Sequence, residues 1–286
     1  WRPRMTREYD TANEAGTRRV SVVAYAPGGE TSFASYPASD AASVSTLLQG
    51  VWTEYDALGR ARSVSQDSEH GLLTTLTEYL PGFQTRVTNP RGHQTTTAYQ
   101  LFDQPDTGAP VSIVAPEGAT TAIVRDSLGL TSSVTRFGSQ PGQIETATRS
   151  YVYDAHRRLC KQIEPETGAT VMSYDAAGNL AWSAAGLALP ATGGAAVCDD
   201  ARGVAYSSGR RVDRSYDSRN RPLTLGFPDG RGNQTFAYTP DGLPSQVTTN
   251  NSAGGTQVIN TYSYNRRRML MAETVAQPGW YSWGIG

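Results

Sequence analysis

The chain has 286 residues and a formal net charge of −1, with 25 Lys and Arg against 26 Asp and Glu. Because these numbers are almost equal, the composition does not indicate a basic surface that would bind phosphates, and nucleic acid is not expected among the partners of the chain. Hydrophobic residues make up 38% of the sequence, with 15 Tyr and 29 Gly, which permits folding, and the enrichment in Tyr and Thr favours strands over helices.

The first clear element in chain order is a β-hairpin between residues 51 and 64. Alternating residues that end at Tyr55 predict a strand with two distinct faces. Asp56 is placed to accept a hydrogen bond from the backbone N–H two residues further on, which starts a turn. Gly59 supplies the left-handed conformation that a short hairpin loop requires before the return strand, which starts at Arg60. We therefore predict a positive φ at Gly59.

The same turn recurs along the chain as Tyr-Asp-x-x-Gly-Arg or Asn. Its second full copy has Tyr174, Asp175 and Gly178, where a positive φ is again predicted, and the partial copies begin at Tyr153-Asp154, Tyr216-Asp217, Tyr238 and Tyr264. Anchor residues stand at Tyr55, Tyr79, Tyr99, Arg125, Tyr153, Tyr174, Tyr216, Tyr238 and Tyr264. Successive anchors lie 20 to 28 residues apart, except for one gap of 42 that equals two units of 21. We interpret the Asp and Gly positions as turn chemistry rather than as catalytic groups.

This regular spacing predicts a repeat architecture in which each unit packs on the next. Roughly 18 strands at ~4.8 Å each would form a ribbon ~85 Å wide, and twisted open sheets rarely exceed ~10 strands without curling. We therefore expect an all-β chain of repeated antiparallel β-hairpins in a strongly curved, spiralling sheet, rather than a compact sandwich or barrel. Residues 1–286 are expected to form one continuous repeat region, with an irregular insertion at 184–211 in the long gap.

These repeats resemble the YD or Rhs repeat family, found in bacterial Rhs polymorphic toxins, insecticidal toxin-complex cocoon subunits and teneurin ectodomains. The match is closest from Tyr55 to Arg60 and from Tyr174 to Leu180, and it extends over about residues 50 to 270. Members of the family wind their hairpins into a hollow shell, which in the toxins encloses a C-terminal toxin domain. The resemblance implies that this chain is a fragment of a larger protein and forms part of such a wall.

The same resemblance implies the environment and the partners of the chain. We expect a protein that is secreted or injected from a bacterial cell, or associated with a cell surface. Its partners would be further repeats and an enclosed toxin domain of the same polypeptide, together with a delivery-system protein. The alternative is an adhesion or carbohydrate-binding module in which exposed Tyr and Trp side chains stack on sugars. No apolar stretch predicts a membrane span in this segment.

Residues with catalytic or ligand chemistry are sparse. The three histidines, His70, His93 and His156, do not have metal-ligand spacing. Cys160 lies four residues after His156, but a turn residue followed by a small strand residue explains that pair better than a nucleophile and its base. We therefore expect no catalytic residue, no cofactor and no metal site, and we expect that the chain is not an enzyme. Whether Cys160 and Cys198 form a disulfide is left open by the sequence.

Overall fold

The computed structural model describes residues 2, 4–39, 48–101, 107–138, 146–189, 198, 201–251, 257–277 and 283–285. The chain divides into two compact units, Trp1–Gly129 with Thr135–Thr146, and Leu130–Val134 with Ala147–Gly286. The described residues contain 22 strands and two short helices, α1 (Glu14–Thr17) and α2 (Arg202–Ser207). None of the helices among these residues is long and apolar enough to cross a membrane.

The first unit is a ladder in which every strand pairs antiparallel with the next strand of the chain. Its strands are β1 (Met5–Glu8), β2 (Arg19–Tyr25), β3 (Thr31–Ser35), β4 (Gly50–Tyr55), β5 (Ala61–Ser68), β6 (Gly71–Leu80), β7 (Gln84–Thr88), β8 (Gln94–Tyr99), β9 (Pro110–Val114) and β10 (Thr120–Arg125). Because neighbours in the chain are also neighbours in the sheet, the backbone groups of interior strands are satisfied by local hairpins.

The second unit repeats this arrangement after β11 (Thr131–Phe137), which the two units share. Its strands are β12 (Thr146–Tyr153), β13 (Leu159–Glu164), β14 (Gly168–Tyr174), β15 (Leu180–Leu187), β16 (Arg211–Tyr216), β17 (Pro222–Gly226), β18 (Gln234–Tyr238), β19 (Pro244–Asn250), β20 (Gln257–Tyr264), β21 (Leu270–Ala276) and β22 (Trp283–Ile285). From β12 to β22 each strand again pairs antiparallel with its successor. The predicted fold class, an all-β chain of repeated antiparallel hairpins in an open, curved sheet, is confirmed within each unit.

The repeated turns have the backbone geometry that the sequence predicts. Gly59 has a φ of 74° and Gly178 a φ of 88°, so the prediction of left-handed glycines is confirmed. Three turns have a residue with a side chain at the same position, and Arg157, Asn220 and Arg268 there have φ values of 64°, 60° and 64°. The turn geometry is therefore kept even where glycine, which adopts it without strain, is absent.

A β-bulge follows most of the Tyr anchors at the start of the return strand, whereas the register at Tyr79 is regular. Tyr55 lies opposite Ala61, whereas Glu54 lies opposite Ser63, so Arg62 is an extra residue in the ladder. The corresponding extra residues in the second unit are Cys160, Ala181, Leu223, Ser245 and Met271. Because bulges bend a strand and increase its twist, one bulge in every such hairpin contributes to the curvature of the sheet.

The predicted insertion at 184–211 contains more regular structure than the sequence indicates. Ala184 still belongs to β15, which ends at Leu187, and helix α2 begins at Arg202. Ala201 and Ala205 are fully buried against the sheet, so this part of the segment is a packed element rather than a surface loop. Residues 190–197 and 199–200 lie outside the described residues.

Candidate functional site

The most regular side-chain constellation in the chain is built on the turn that follows each anchor. In the first copy, Oδ1 of Asp56 accepts hydrogen bonds from the backbone N–H groups of Leu58 and Arg60, each at 2.9 Å. Its Oδ2 accepts from Nε of Arg60 at 2.7 Å and lies 2.6 Å from Nη2. The carboxylate therefore closes the turn and holds the guanidinium in a two-point contact.

The second unit contains the same constellation twice more. Asp154 holds Arg158 with an Oδ2–Nε distance of 2.8 Å, and Asp217 holds Arg221 at 2.7 Å. Asn265 replaces the aspartate in a fourth turn, and its Oδ1 accepts the equivalent two backbone hydrogen bonds at 2.9 and 3.0 Å. The turn thus needs an acceptor at this position, whereas the ion pair is an addition that only aspartate provides.

The carboxyl groups in these turns are stabilised in the ionised form. The hydrogen bond from the Arg60 guanidinium is the main cause that lowers the pKa of Asp56, followed by the backbone N–H of Arg60. Burial alone would raise the pKa of Asp154, but the backbone and side-chain hydrogen bonds from Arg158 together bring it below its usual value. The pKa is lowered by the same kind of hydrogen bonds at Asp175 and Asp217.

The tyrosine anchors connect each hairpin to the preceding one. The hydroxyl of Tyr79 donates to the backbone carbonyl of Ala61 at 3.0 Å, and Ala61 is the residue that lies opposite the preceding motif anchor. The same bond recurs in the second unit, from Tyr174 to Leu159 at 2.8 Å, from Tyr216 to Leu180 at 3.1 Å, and from Tyr238 to Pro222 at 2.8 Å. Burial is the main cause that raises the pKa of Tyr174.

The arginine of one turn stacks on the anchor of the next hairpin. The guanidinium carbon of Arg60 lies 4.0 Å from the ring centre of Tyr79. The equivalent distances are 4.6 Å from Arg158 to Tyr174 and 4.1 Å from Arg221 to Tyr238. Each of these tyrosines is therefore held twice, through its ring face by an arginine and through its hydroxyl by a carbonyl. We call this arrangement of aspartate, arginine and following tyrosine a hairpin junction.

One junction in the second unit departs from the pattern. Asn179 occupies the arginine position between Tyr174 and Tyr216, and its amide donates to Oδ2 of Asp175 at 3.1 Å and to Oδ1 of Asn220 at 3.0 Å. Tyr216 keeps its hydroxyl bond to Leu180, but an asparagine cannot supply a guanidinium. This is also the point in the sequence at which the insertion with helix α2 stands.

Other residues that the sequence analysis singled out lie at turns. His156 and His93 are exposed, and their backbone N–H groups donate to Asp154 and Asn89 within their turns. Tyr264 ends β20 opposite Leu270. Within the part of the chain that the structure describes, no group of three or more His, Cys, Asp or Glu side chains is placed to hold a metal ion.

Cys160 and Cys198 form a disulfide, with 5.5 Å between their Cα atoms. A cavity of about 260 Å³ lies beside it, and both cysteines contribute to its wall together with His156, Arg158 and Arg202. The sequence left this pairing open because the two cysteines are 38 residues apart and no local pattern connects them. The tyrosine hydroxyl bonds were not predicted from the sequence, although the recurrence of Tyr before Asp indicated a shared role.

Neither a protein-family model nor a curated protein sequence matches the chain. Solved structures are similar to it at low identity. A TcdB2-TccC3-Cdc42 crystal structure is 13% identical over 91% of this chain and 17% of that chain, with a TM-score of 0.41. A TcdB2-TccC3-TEV structure is 14% identical over 96% of this chain and 20% of that chain, with a TM-score of 0.39.

A Photorhabdus luminescens Tc holotoxin pore is 15% identical over 95% of this chain and 15% of that chain, also with a TM-score of 0.39. The chain spans a fifth or less of the length of these three structures. At these values we base no conclusion on the similarity.

Proposed function

We propose that this chain is a non-enzymatic wall segment of a hollow β-hairpin shell of the YD/Rhs type, from a protein that is secreted or injected by a bacterial cell. The role of such a wall is containment. It separates an enclosed volume, and a toxin domain of the same polypeptide inside it, from solvent and from proteases. The further repeats and the enclosed domain would be its main partners, and a delivery-system protein would be another.

The hairpin junction is the observation that carries this proposal. A wall has to resist separation between hairpins, where only one strand pairing connects neighbouring units. At Tyr79 and Tyr174 a hydroxyl bond and a stacked arginine supplement that pairing. These contacts recur from one hairpin to another rather than at one place in the chain. A structural repeat has that property, whereas a catalytic centre occurs once.

The paired ladder supports the same role. Within the two units, strands β2 to β9 and β13 to β21 each have an antiparallel partner on both sides. A continuous antiparallel ladder leaves few backbone groups for other chains to pair with, so it can act as a barrier without exposing edges along its length. On this proposal, replacing the turn residues His93 or His156 with Ala leaves the activity of the parent protein intact.

The test is a protection assay on the protein expressed from its complete gene. Thr97 pairs with Thr85 on one side and Ile113 on the other, so Thr97→Pro removes an N–H from the interior of the ladder. Thr97→Val is the matched control because it keeps that N–H and a β-branched side chain. We expect the enclosed domain to be cleaved faster by protease in Thr97→Pro than in wild type or Thr97→Val.

A second pair, Ile259→Pro and Ile259→Val, repeats the comparison in β20, where Ile259 pairs with Thr248 and Ala276. The isolated toxin domain should be equally sensitive to protease whichever variant it comes from. If the domain is equally accessible in all variants, or if no enclosed domain exists, containment is excluded and the adhesion alternative gains support.

A further inference from the structure

An apolar patch lies on β13, β14 and β15, and helix α2 packs on the β15 side of it. The residues of the patch are at most 9% exposed and comprise Ile163, Ala169, Val171, Trp182, Ala184 and Leu187. Ala201 and Ala205 pack against them from the helix side and are fully buried. Eight of the thirteen buried hydrophobic residues in the described part of the chain belong to this one cluster. Moving α2 away would therefore uncover part of this apolar patch.

The helix has little intrinsic stability with which to hold that position. It is six residues long, contains Gly203, and has no side-chain cap on its first turn. Helices shorter than about 12 residues are marginal in water unless tertiary contacts hold them. Its non-covalent contacts are modest, because the buried side chains are alanines and the main ring contact is between Tyr206 and Trp182 at 5.7 Å. Arg211 stacks on the Tyr206 ring at 4.3 Å.

A covalent bond supplements these contacts. Cys198 lies three residues before Ala201 and is joined to Cys160, which is the extra residue at the bulge of β13. The disulfide therefore connects the start of the α2 segment to the strand that forms one side of the apolar patch. A cross-link of this kind stabilises the closed arrangement mainly by restricting the open one.

The disulfide borders a cavity into which a small thiol fits. Cys160 is 3% exposed, whereas Cys198 is partly exposed, so the sulfur of Cys198 is the more accessible one for attack. The cavity of about 260 Å³ is bordered by both cysteines and by Arg158 and Arg202. Arg158 is paired with Asp154, which also lines the cavity, so attack on the disulfide depends on the access that the cavity gives to Cys198.

We propose, independently of any shell function, that the Cys160–Cys198 disulfide is a redox-controlled cross-link, and that its reduction by a small thiol such as glutathione releases α2 from the apolar patch. In the oxidised chain the helix covers Trp182 and its neighbours. In the reduced chain the helix opens often enough for the patch to become available to other apolar surfaces.

The exchange balances in two steps. A glutathione thiolate attacks the sulfur of Cys198, forms a mixed disulfide there, and displaces the thiolate of Cys160, which takes up a proton from water. A second glutathione thiolate attacks the glutathione sulfur of the mixed disulfide, which releases Cys198 as a thiolate and forms oxidised glutathione. In total two glutathione thiols lose two electrons and two protons, and the protein disulfide gains them as two thiols.

The experiment measures hydrogen exchange by mass spectrometry on the complete chain, with and without millimolar reduced glutathione. We expect the disulfide to be reduced and the backbone amides of residues 204–207 to exchange about tenfold faster afterwards. Amides of β18 and β19, which lie outside the patch, should not change. Re-oxidation with oxidised glutathione should restore slow exchange at residues 204–207.

Cys198→Ser provides an independent comparison, because it removes the cross-link at its more exposed end. Its amides at residues 204–207 should exchange rapidly and should not respond to glutathione. Three results would overturn the proposal. They are the absence of a disulfide in the untreated protein, a disulfide that millimolar glutathione leaves intact, and a reduced chain whose α2 amides exchange as slowly as those of the oxidised chain.

Discussion

The guanidinium of Arg60 lies 4.0 Å from the ring centre of Tyr79, and the hydroxyl of that tyrosine donates to the carbonyl of Ala61, the next residue after Arg60. Two consecutive residues of one hairpin therefore contact a single tyrosine of the next hairpin, one at the face of its ring and the other at its hydroxyl. Asp56 fixes the arginine from within its own turn. The Tyr-Asp-x-x-Gly-Arg motif thus encodes a turn and also one half of the contact between successive hairpins.

The stacking of Arg60 on Tyr79 predicts an energetic coupling between the two side chains. In a double-mutant cycle of Arg60→Ala and Tyr79→Leu, we expect a coupling of about 0.5 to 1 kcal/mol, the usual range for a cation–π contact at an exposed site. The readout is the native-state hydrogen exchange of amides in β5 and β6. Arg91→Ala combined with Tyr79→Leu is the control pair, and it should show no coupling because Tyr79 lies opposite Thr85 at the start of β7, whereas Arg91 lies in the turn after the end of that strand.

We expect removal of the Tyr174 hydroxyl to destabilise the second unit locally. Tyr174→Phe keeps the ring under Arg158 but removes the donor to the carbonyl of Leu159, which we expect to lower the local free energy of opening by about 1 kcal/mol. Faster exchange of amides in β13 and β14 would show it. Tyr206→Phe is the matched control, because it deletes a hydroxyl at an exposed ring in the same unit. Equal effects of the two variants would contradict a junction role for the Tyr174 hydroxyl.

The lowered pKa values of the turn aspartates predict acid sensitivity. A carboxyl whose pKa is lower in the folded than in the unfolded chain contributes stability that is complete above the unfolded pKa and is lost as the pH falls through the folded pKa. The unfolded value is 3.8, so we expect the urea midpoint to hold steady near neutral pH and to fall as the pH drops below that value.

A variant with Asn at Asp56, Asp154, Asp175 and Asp217 tests this directly. Asparagine keeps the backbone acceptor, as Asn265 shows, but it does not titrate, so the dependence of the midpoint on acid pH should flatten. Glu69→Gln, in the turn between β5 and β6, should follow the wild type. An unchanged acid dependence in the four-site variant would assign the acid sensitivity to other groups.

Positive φ at Gly178 predicts a graded response to substitution. Gly178→Val should destabilise the turn by about 1 kcal/mol or more, since a β-branched residue is strained in the left-handed region. Gly178→Asn should cost less, because Asn220 already occupies the equivalent position at a φ of 60°. An added Cβ at Gly178 would lie 3.7 Å from Nη1 of Arg158, which is ordinary contact, so backbone strain alone sets the order. Equal destabilisation by Val and Asn would show that strain at a positive φ does not set the order of the two variants.

The hairpins were predictable from the sequence because their determinants are local. Asp56 and Gly59 act on backbone groups within five residues of themselves, and alternation along the strand fixes which residues share a face. The stacking of arginine on tyrosines of neighbouring hairpins could also be predicted, because the repeat spacing and the preference of guanidinium groups for aromatic faces are sufficient to suggest it.

Other features depend on contacts between distant residues and could not be predicted in this way. The target of the Tyr79 hydroxyl is a backbone carbonyl, which no side-chain pattern marks. Helix α2 is short and poorly capped, so its formation depends on contacts with the rest of the chain, among them the packing of Ala201 and Ala205. The bulge that carries Cys160 is a property of strand register, and the disulfide to Cys198 follows from that register rather than from spacing in the chain.

Cryo-electron microscopy of the protein expressed from its complete gene tests the containment proposal most directly. The account predicts that these hairpins form part of a closed wall, with one sheet face towards solvent and the other towards an internal volume that holds additional protein density. The junction tyrosines, including Tyr79 and Tyr174, should lie at the seams between successive hairpins of that wall. A sheet with both faces open to solvent, or one packed face to face on a second sheet without an internal volume, would contradict the account.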